Sequence, residues 1–333
     1  MNLFTAEVKR LFARRFTWVM LLVTVGILGL VVLGITLNSQ RPSPDVVAQA
    51  EQQAAQYRAD TLQMREECEE AQRSGDPSRQ FEFPPGLTCA EAFNPDQIQA
   101  ADFMPHTFAF RDEVPTLLQV LGGIVALFGF AVGASFVGAE WNSGGMTNLL
   151  LWRPRRIPVL LTKLGTVLAA VVAIGTVVGG VYLAGLWVAA RVRGRMGQLD
   201  ADFWQSLALV GARSLTLALA ATTIGFALAS LGRHTAPALG IGVGYLIVGE
   251  AGTSIVLALA EVAKPERFQL SSYVAAWLGN GATFQSFGAC SPDEPCQPET
   301  WRLDLGDAAT VGGVILVVLV AAAVWQMRRR DVT

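Results

Sequence analysis

Six apolar runs, each about as long as a bilayer core is thick, constrain this chain more than anything else in its sequence. A transmembrane helix needs about 20 mostly apolar residues. Such runs cover 17–37, 115–138, 164–190, 206–231, 236–262 and 308–327. The first, second and last contain no Asp, Glu, Lys or Arg. Alternation with period two is absent, so the runs read as helices rather than barrel strands. Within lipid a helix satisfies its own backbone hydrogen bonds. The fold class expected is therefore an all-α integral membrane protein. Charged residues are 16% of the chain and hydrophobic ones 52%, against roughly 25% charged in a soluble domain. The net charge of −2 leaves no global basic field for nucleic acid.

Six spans place both termini on one side. Orientation follows from Lys and Arg near the span ends. The terminal side collects twelve basic residues against Glu7, Glu140 and Asp331, whereas the opposite loops, 38–114 and 263–307, hold nine basic and twenty acidic residues. Both termini are thus expected in the cytoplasm. Arg191, Arg193 and Arg195 run against this pattern, only partly offset by Asp200 and Asp202. Arg outnumbers Lys 22 to 3, a bias that suggests a GC-rich bacterial genome and hence the bacterial plasma membrane. The first span is longer than the apolar core of a cleaved signal, about 7–15 residues, and reads as a retained anchor.

All four cysteines, Cys68, Cys89, Cys290 and Cys296, fall in the two loops placed outside, where disulfides persist. Local closure favours Cys68–Cys89 and Cys290–Cys296; four free thiols are the alternative.

Residues 1–16 carry Phe4, Val8, Leu11, Phe12 and Arg15 at helical spacing, with Lys9, Arg10 and Arg14 on other faces. This predicts an amphipathic helix in the headgroups, the alternative being a plain basic flank. The 38–114 loop should be helical over 45–74, where Pro and Gly are absent. Its stripe Val47, Ala50, Ala54, Tyr57, Thr61, Met64 and Cys68 steps by three and four. The stripe suits a helix of the same loop or a partner, although a helix resting on the membrane domain is the favoured reading. In 263–307, Ser271–Leu278 reads as a short interfacial or re-entrant helix.

No catalytic set is visible. The two histidines, His106 and His234, stand apart, and His234 reads as a turn residue rather than a metal ligand. A phosphate-binding loop needs Gly-Lys-Ser/Thr, and none of Lys9, Lys163 and Lys264 follows a glycine. ATP hydrolysis by that route would need another polypeptide. Apart from Glu261 at the very end of the fifth run, two charges lie inside spans, Arg213 and Glu250. Intramembrane charges are costly and often functional. Three readings stay open: a salt bridge, a Glu250 lining a polar pathway, or a protonated Glu250 bonded to a Ser or Thr.

The 139–163 loop carries the most information. Glu140 ends a span, and Gly144 and Gly145 permit a sharp redirection. Met146–Trp152 then reads as a short apolar helix ended by Pro154, with Met146 and Leu150 offered to a soluble partner. Glu140 is expected near the N-terminus of that helix, where a carboxylate is favoured.

Glu140, the Gly144-Gly145-Met146-Thr147 turn, Leu149-Leu150, then Pro154, Arg156 and Lys163 resemble the type-2 ABC transporter permease family. The six spans, the N-terminal interfacial helix and the Arg-Arg-Arg-Asp after the last span extend the match. The chain departs where Met146 separates Gly145 from Thr147, and in its large first loop. The resemblance implies the membrane subunit of an ABC transporter, an exporter above all. A second permease copy or paralogue completes the pathway. Separate ATPase subunits, which bind ATP and Mg, dock on a coupling helix formed by Gly144, Gly145, Met146, Thr147, Leu149 and Leu150, with Glu140 and Arg156 flanking it. No cofactor is implied in this chain. A secondary transporter and a membrane anchor whose outer loop binds a partner are the competing readings.

Overall fold

The computed structural model describes residues 3–74, 88–152, 155–260, 262, 264–286 and 299–329. Six helical segments are long and apolar enough to cross a membrane: α2 (Arg15–Asn38), α5 (Phe110–Asn142), α7 (Arg156–Arg193), α8 (Ala201–Gly232), the segment Thr235–Leu259, and α12 (Leu305–Arg329). The fifth is compound. It starts as α9 (Thr235–Gly244), passes through a π-helical stretch Tyr245–Gly252 and ends as α10 (Thr253–Leu259). Five of the segments overrun the expected run at both ends, because the chain stays helical past its apolar core; the fifth in order starts one residue early, at Thr235, and ends at Leu259, three residues short of the expected end.

Helices α5 and α8 form the spine of the bundle. Small residues bring them together: a Cβ on Gly129 would strike Thr222, and one on Gly225 would strike the Phe130 carbonyl. Close backbone approach of this kind is how membrane helices gain contact without a hydrophobic driving force. Both α2 and α7 pack against α5, and the buried core includes Val114, Leu121, Phe128, Phe136, Val167 and Phe226.

The bundle has two ends. The base carries α1 (Leu3–Phe12), the short helix α6 (Gly145–Trp152), the start of α7 and the end of α12. Arg156 donates to the Met327 carbonyl there. The inward face of α1 is Glu7 and Leu11, both buried, while Phe4 and Phe12 stay exposed.

The far end carries α3 (Pro44–Ser74), α4 (Cys89–Ala92), α11 (Leu270–Gly279) and a hairpin. At 1.5 Å per residue α3 is about 45 Å long. Its stripe does not rest on the membrane domain, as the favoured reading had it. Ala50, Ala54, Thr61 and Cys68 are buried under the returning segment of the same loop, with Tyr57 against Phe103 at 5.0 Å and Cys68 bonded to Cys89. Met64 is exposed. The hairpin, β1 (Ala282–Ser286) with β2 (Glu299–Leu303), is antiparallel and pairs Phe284 with Trp301, whose rings stack at 5.1 Å. It was not expected. Cys290 and Cys296 lie outside the described residues.

Candidate coupling site

At the base, three helices meet around four charges. Glu7 comes from α1, Arg14 from the turn before α2, Glu140 from the last turn of α5, and Lys163 from the second turn of α7. Lys163 and Glu7 are fully buried and Glu140 nearly so. The Lys163 ammonium donates to Glu7 Oε2 at 2.6 Å and lies 2.5 Å from Glu140 Oε2. The second contact is an ion pair without the angle of a directed hydrogen bond. Arg14 donates to Glu140 Oε1 at 3.2 Å and to the Ser135 carbonyl at 2.8 Å. Arg10, half exposed, reaches Glu7 Oε1 at 3.0 Å. The Phe136 ring lies under Lys163 and Arg14, at 5.3 and 5.1 Å. Two carboxylates are thus met by one buried cation, Lys163, and one partly buried one, Arg14, with Arg10 at the exposed edge. Burial lowers the Arg14 pKa, and the charges of Glu140 and Glu7 oppose that fall.

Such a cluster is stable only as a set. Buried charges pay heavy desolvation, and removing one partner leaves the other uncompensated. Here the pairs also close a loop. Residues 143–155 leave α5 just after Glu140 and enter α7 seven residues before Lys163, so the Glu140–Lys163 contact ties the two stems of the segment that carries α6.

The redirection into α6 falls on Gly144, whose φ of +71° suits a residue without Cβ. Gly145 is the first residue of α6. The face that α6 turns outward differs from the expected one. Met146 is fully buried and Leu150 is 6% exposed, both within the bundle core, whereas Leu151 is 76% exposed. Thr147 and Leu149 are half-buried, and Asn148 is exposed. The apolar residues of so short a helix split between two faces, and the base claims Met146 and Leu150. Glu140 is corrected as well: it does not cap α6 but serves the ion cluster from within α5.

The intramembrane charges do not meet. Arg213 donates to Asn280 Oδ1 at 3.0 Å. Glu250, in the π-helical stretch, accepts from Tyr245 Oη at 2.9 Å and from the Ser271 amide and hydroxyl at 3.0 and 2.6 Å. The salt bridge is therefore replaced by neutral donors, and Glu250 sits at the start of α11. His234 occupies the turn position before α9 without capping it by its side chain. Among the described residues no three His, Cys, Asp or Glu side chains converge as metal ligands would.

Nothing in the sequence marks the cluster as a unit. Glu7 stands there as one charge in the topology count, Arg14 as a polar-face residue of the first helix, and Lys163 as one of three lysines and a member of the family pattern. One member does stand out: Glu7 is the sole acid among the first 44 residues, inside an otherwise basic amphipathic helix. No family model matches the chain, and no curated protein or solved structure is significantly similar to it.

Proposed function

We propose that this chain is the permease subunit of an ATP-driven ABC transporter, an exporter working as a pair of permeases over two separate ATPase subunits. The observation that supports it is the clamp beneath α6. A short helix with an outward leucine is held between α5 and α7 by a buried ion pair, and Glu7 extends that pair to α1. An ATPase pressing on Leu151 and its neighbours would move α5, α7 and α1 together. Helix-in-groove docking is a common recognition mode. In this reading the base and both termini face the cytoplasm of a bacterial cell, α1 lies in the headgroups, and the α3 loop is extracellular. ATP and Mg belong to the partner.

The corrected face of α6 changes the test. Leu151→Asp should leave the fold intact and weaken ATPase binding by about tenfold or more, since a charge buried unpaired at an interface is costly. Met146→Asp should instead unfold the base. Co-purification with the product of a neighbouring ATPase gene, followed by pull-down of Leu151→Asp, reads both. Wild-type binding and transport in Leu151→Asp would remove the coupling assignment.

One observation favours a second reading. The π-helical break in the fifth segment resembles the interrupted helices of secondary transporters. Transport driven by an ion gradient in vesicles free of ATP would select it. The hydrogen bonds already committed by Glu250 argue against a free ion ligand there.

A further inference from the structure

We propose that the groove between α5, α7 and α8 holds an acyl chain of an anionic phospholipid from the far-end leaflet, with its headgroup against Arg191. The proposal does not depend on the transport reading.

The groove has a volume of about 410 Å³. Its walls include Leu121 and Val125 of α5, Gly179 and Gly180 of α7, and Gly211 and Leu215 of α8. Gly180 and Gly211 face open space: a Cβ on either would meet nothing within 4 Å. The one buried hydroxyl in the wall, Ser214, already donates to the Leu118 carbonyl. The groove therefore offers contact to a hydrocarbon and little to a polar solute. Along α8 it runs from Trp204 to Leu215, about 16 Å at helical rise. That is one leaflet's share of a hydrocarbon core roughly 30 Å thick.

The mouth has the chemistry of an interface. Trp204 lines it, Trp187 lies 6.1 Å from Trp204, and Arg191 sits over the Trp187 ring at 5.2 Å. Tryptophan marks the headgroup level, so Arg191 stands where a phosphate would be. Its neighbourhood is cationic. Arg41 donates to the carbonyls of Arg191 and Gly194. Arg195 faces Asp112, and Arg111 holds Asp200. Among the described residues no carboxylate pairs with Arg191 or Arg193. These are the arginines that break the charge asymmetry of the sequence, and an anionic headgroup accounts for them. The platform is fixed, because Ser39 donates to the Arg193 carbonyl and Arg195 exchanges backbone hydrogen bonds with Phe108 and Phe110.

The test uses the full chain in mixed micelles, with native mass spectrometry of retained phosphatidylglycerol or phosphatidylcholine carrying the same chains. The wild type should retain phosphatidylglycerol over phosphatidylcholine by about tenfold. Basic residues at the base also attract anions, so the change on substitution is decisive. Arg191→Gln/Arg193→Gln should lower the preference to about twofold or less. Gly180→Leu and Gly211→Leu, which enter free space, should lower retention of both lipids alike. Three results would overturn the proposal: equal retention of the two lipids by the wild type, a preference unmoved by the arginine substitutions, or efficient copy-to-copy crosslinking of Gly180→Cys, which would put a second chain in the groove.

Discussion

Glu140 and Glu250 are the same residue type in apolar helices, yet opposite ends of the molecule satisfy them in different ways. Glu140 is buried and meets two cations from two other parts of the chain, Lys163 and Arg14. Glu250 is half-buried and meets only neutral donors from Tyr245 and Ser271. A carboxylate held by cations cannot be removed without stranding them. One held by dipoles leaves behind groups that water can satisfy. The base is thus an all-or-none assembly, and the far end is a set of local ties. In the proposed permease the base passes force between helices, which suits the first arrangement, and an end built from loops suits the second.

The comparison breaks most readily at Lys163. Lys163→Met takes the one fully buried cation from Glu7 and Glu140, leaving them only Arg10 and Arg14 at the more exposed edge, and should cost about 3 kcal/mol, read as a large drop in thermal midpoint in detergent. A loss below about 1 kcal/mol would mean that the cluster is not a set. At the far end, Cys68→Ser/Cys89→Ser removes a tie spanning 21 positions and should cost the loop about 3 kcal/mol. Proteolysis within 44–103 should quicken while the midpoint of the bundle stays put, because α3 packs on its own loop rather than on the spans. Glu250→Gln should cost about 1 kcal/mol or less, visible as faster amide exchange at Leu270 and Ser271. A cost equal to that of Lys163→Met would show that the two ends depend on their carboxylates alike.

The smallest effect concerns pH. The Phe203 amide, and then Arg111, hold the Asp200 carboxyl below its ordinary range. A depressed carboxylate stabilises the fold above its unfolded pKa, and that share is lost as pH falls through the folded value. The start of α8 should therefore loosen only in acid, and Asp200→Asn should flatten that dependence in amide exchange.

Local patterns were legible in the sequence and long-range meetings were not. The six spans followed from apolar length, α6 from its Gly-Gly turn, and the Cys68–Cys89 bond from short closure. The cluster joins positions 7, 14, 140 and 163, and no periodicity links residues more than a hundred positions apart. The outward face of α6 was missed for a related reason: over eight residues the apolar side chains outnumber one face, and only the packing at the base decides which are buried. The hairpin escaped notice although Phe284 and Trp301 each alternate with polar neighbours, because Thr283 to Ser286 is too short a run to stand out beside the helices.

The central claim is that Glu140 and Lys163 act as one unit beneath α6. A double-mutant cycle tests it most directly, with Glu140→Gln, Lys163→Met and the double variant compared by unfolding in detergent. In the double variant Glu7 and Arg14 still balance in charge, so it should be more stable than the sum of the single losses implies, by about 2 kcal/mol. Losses that add to within about 0.5 kcal/mol would show that the two residues do not share a cluster, and the clamp beneath α6 would fall with it.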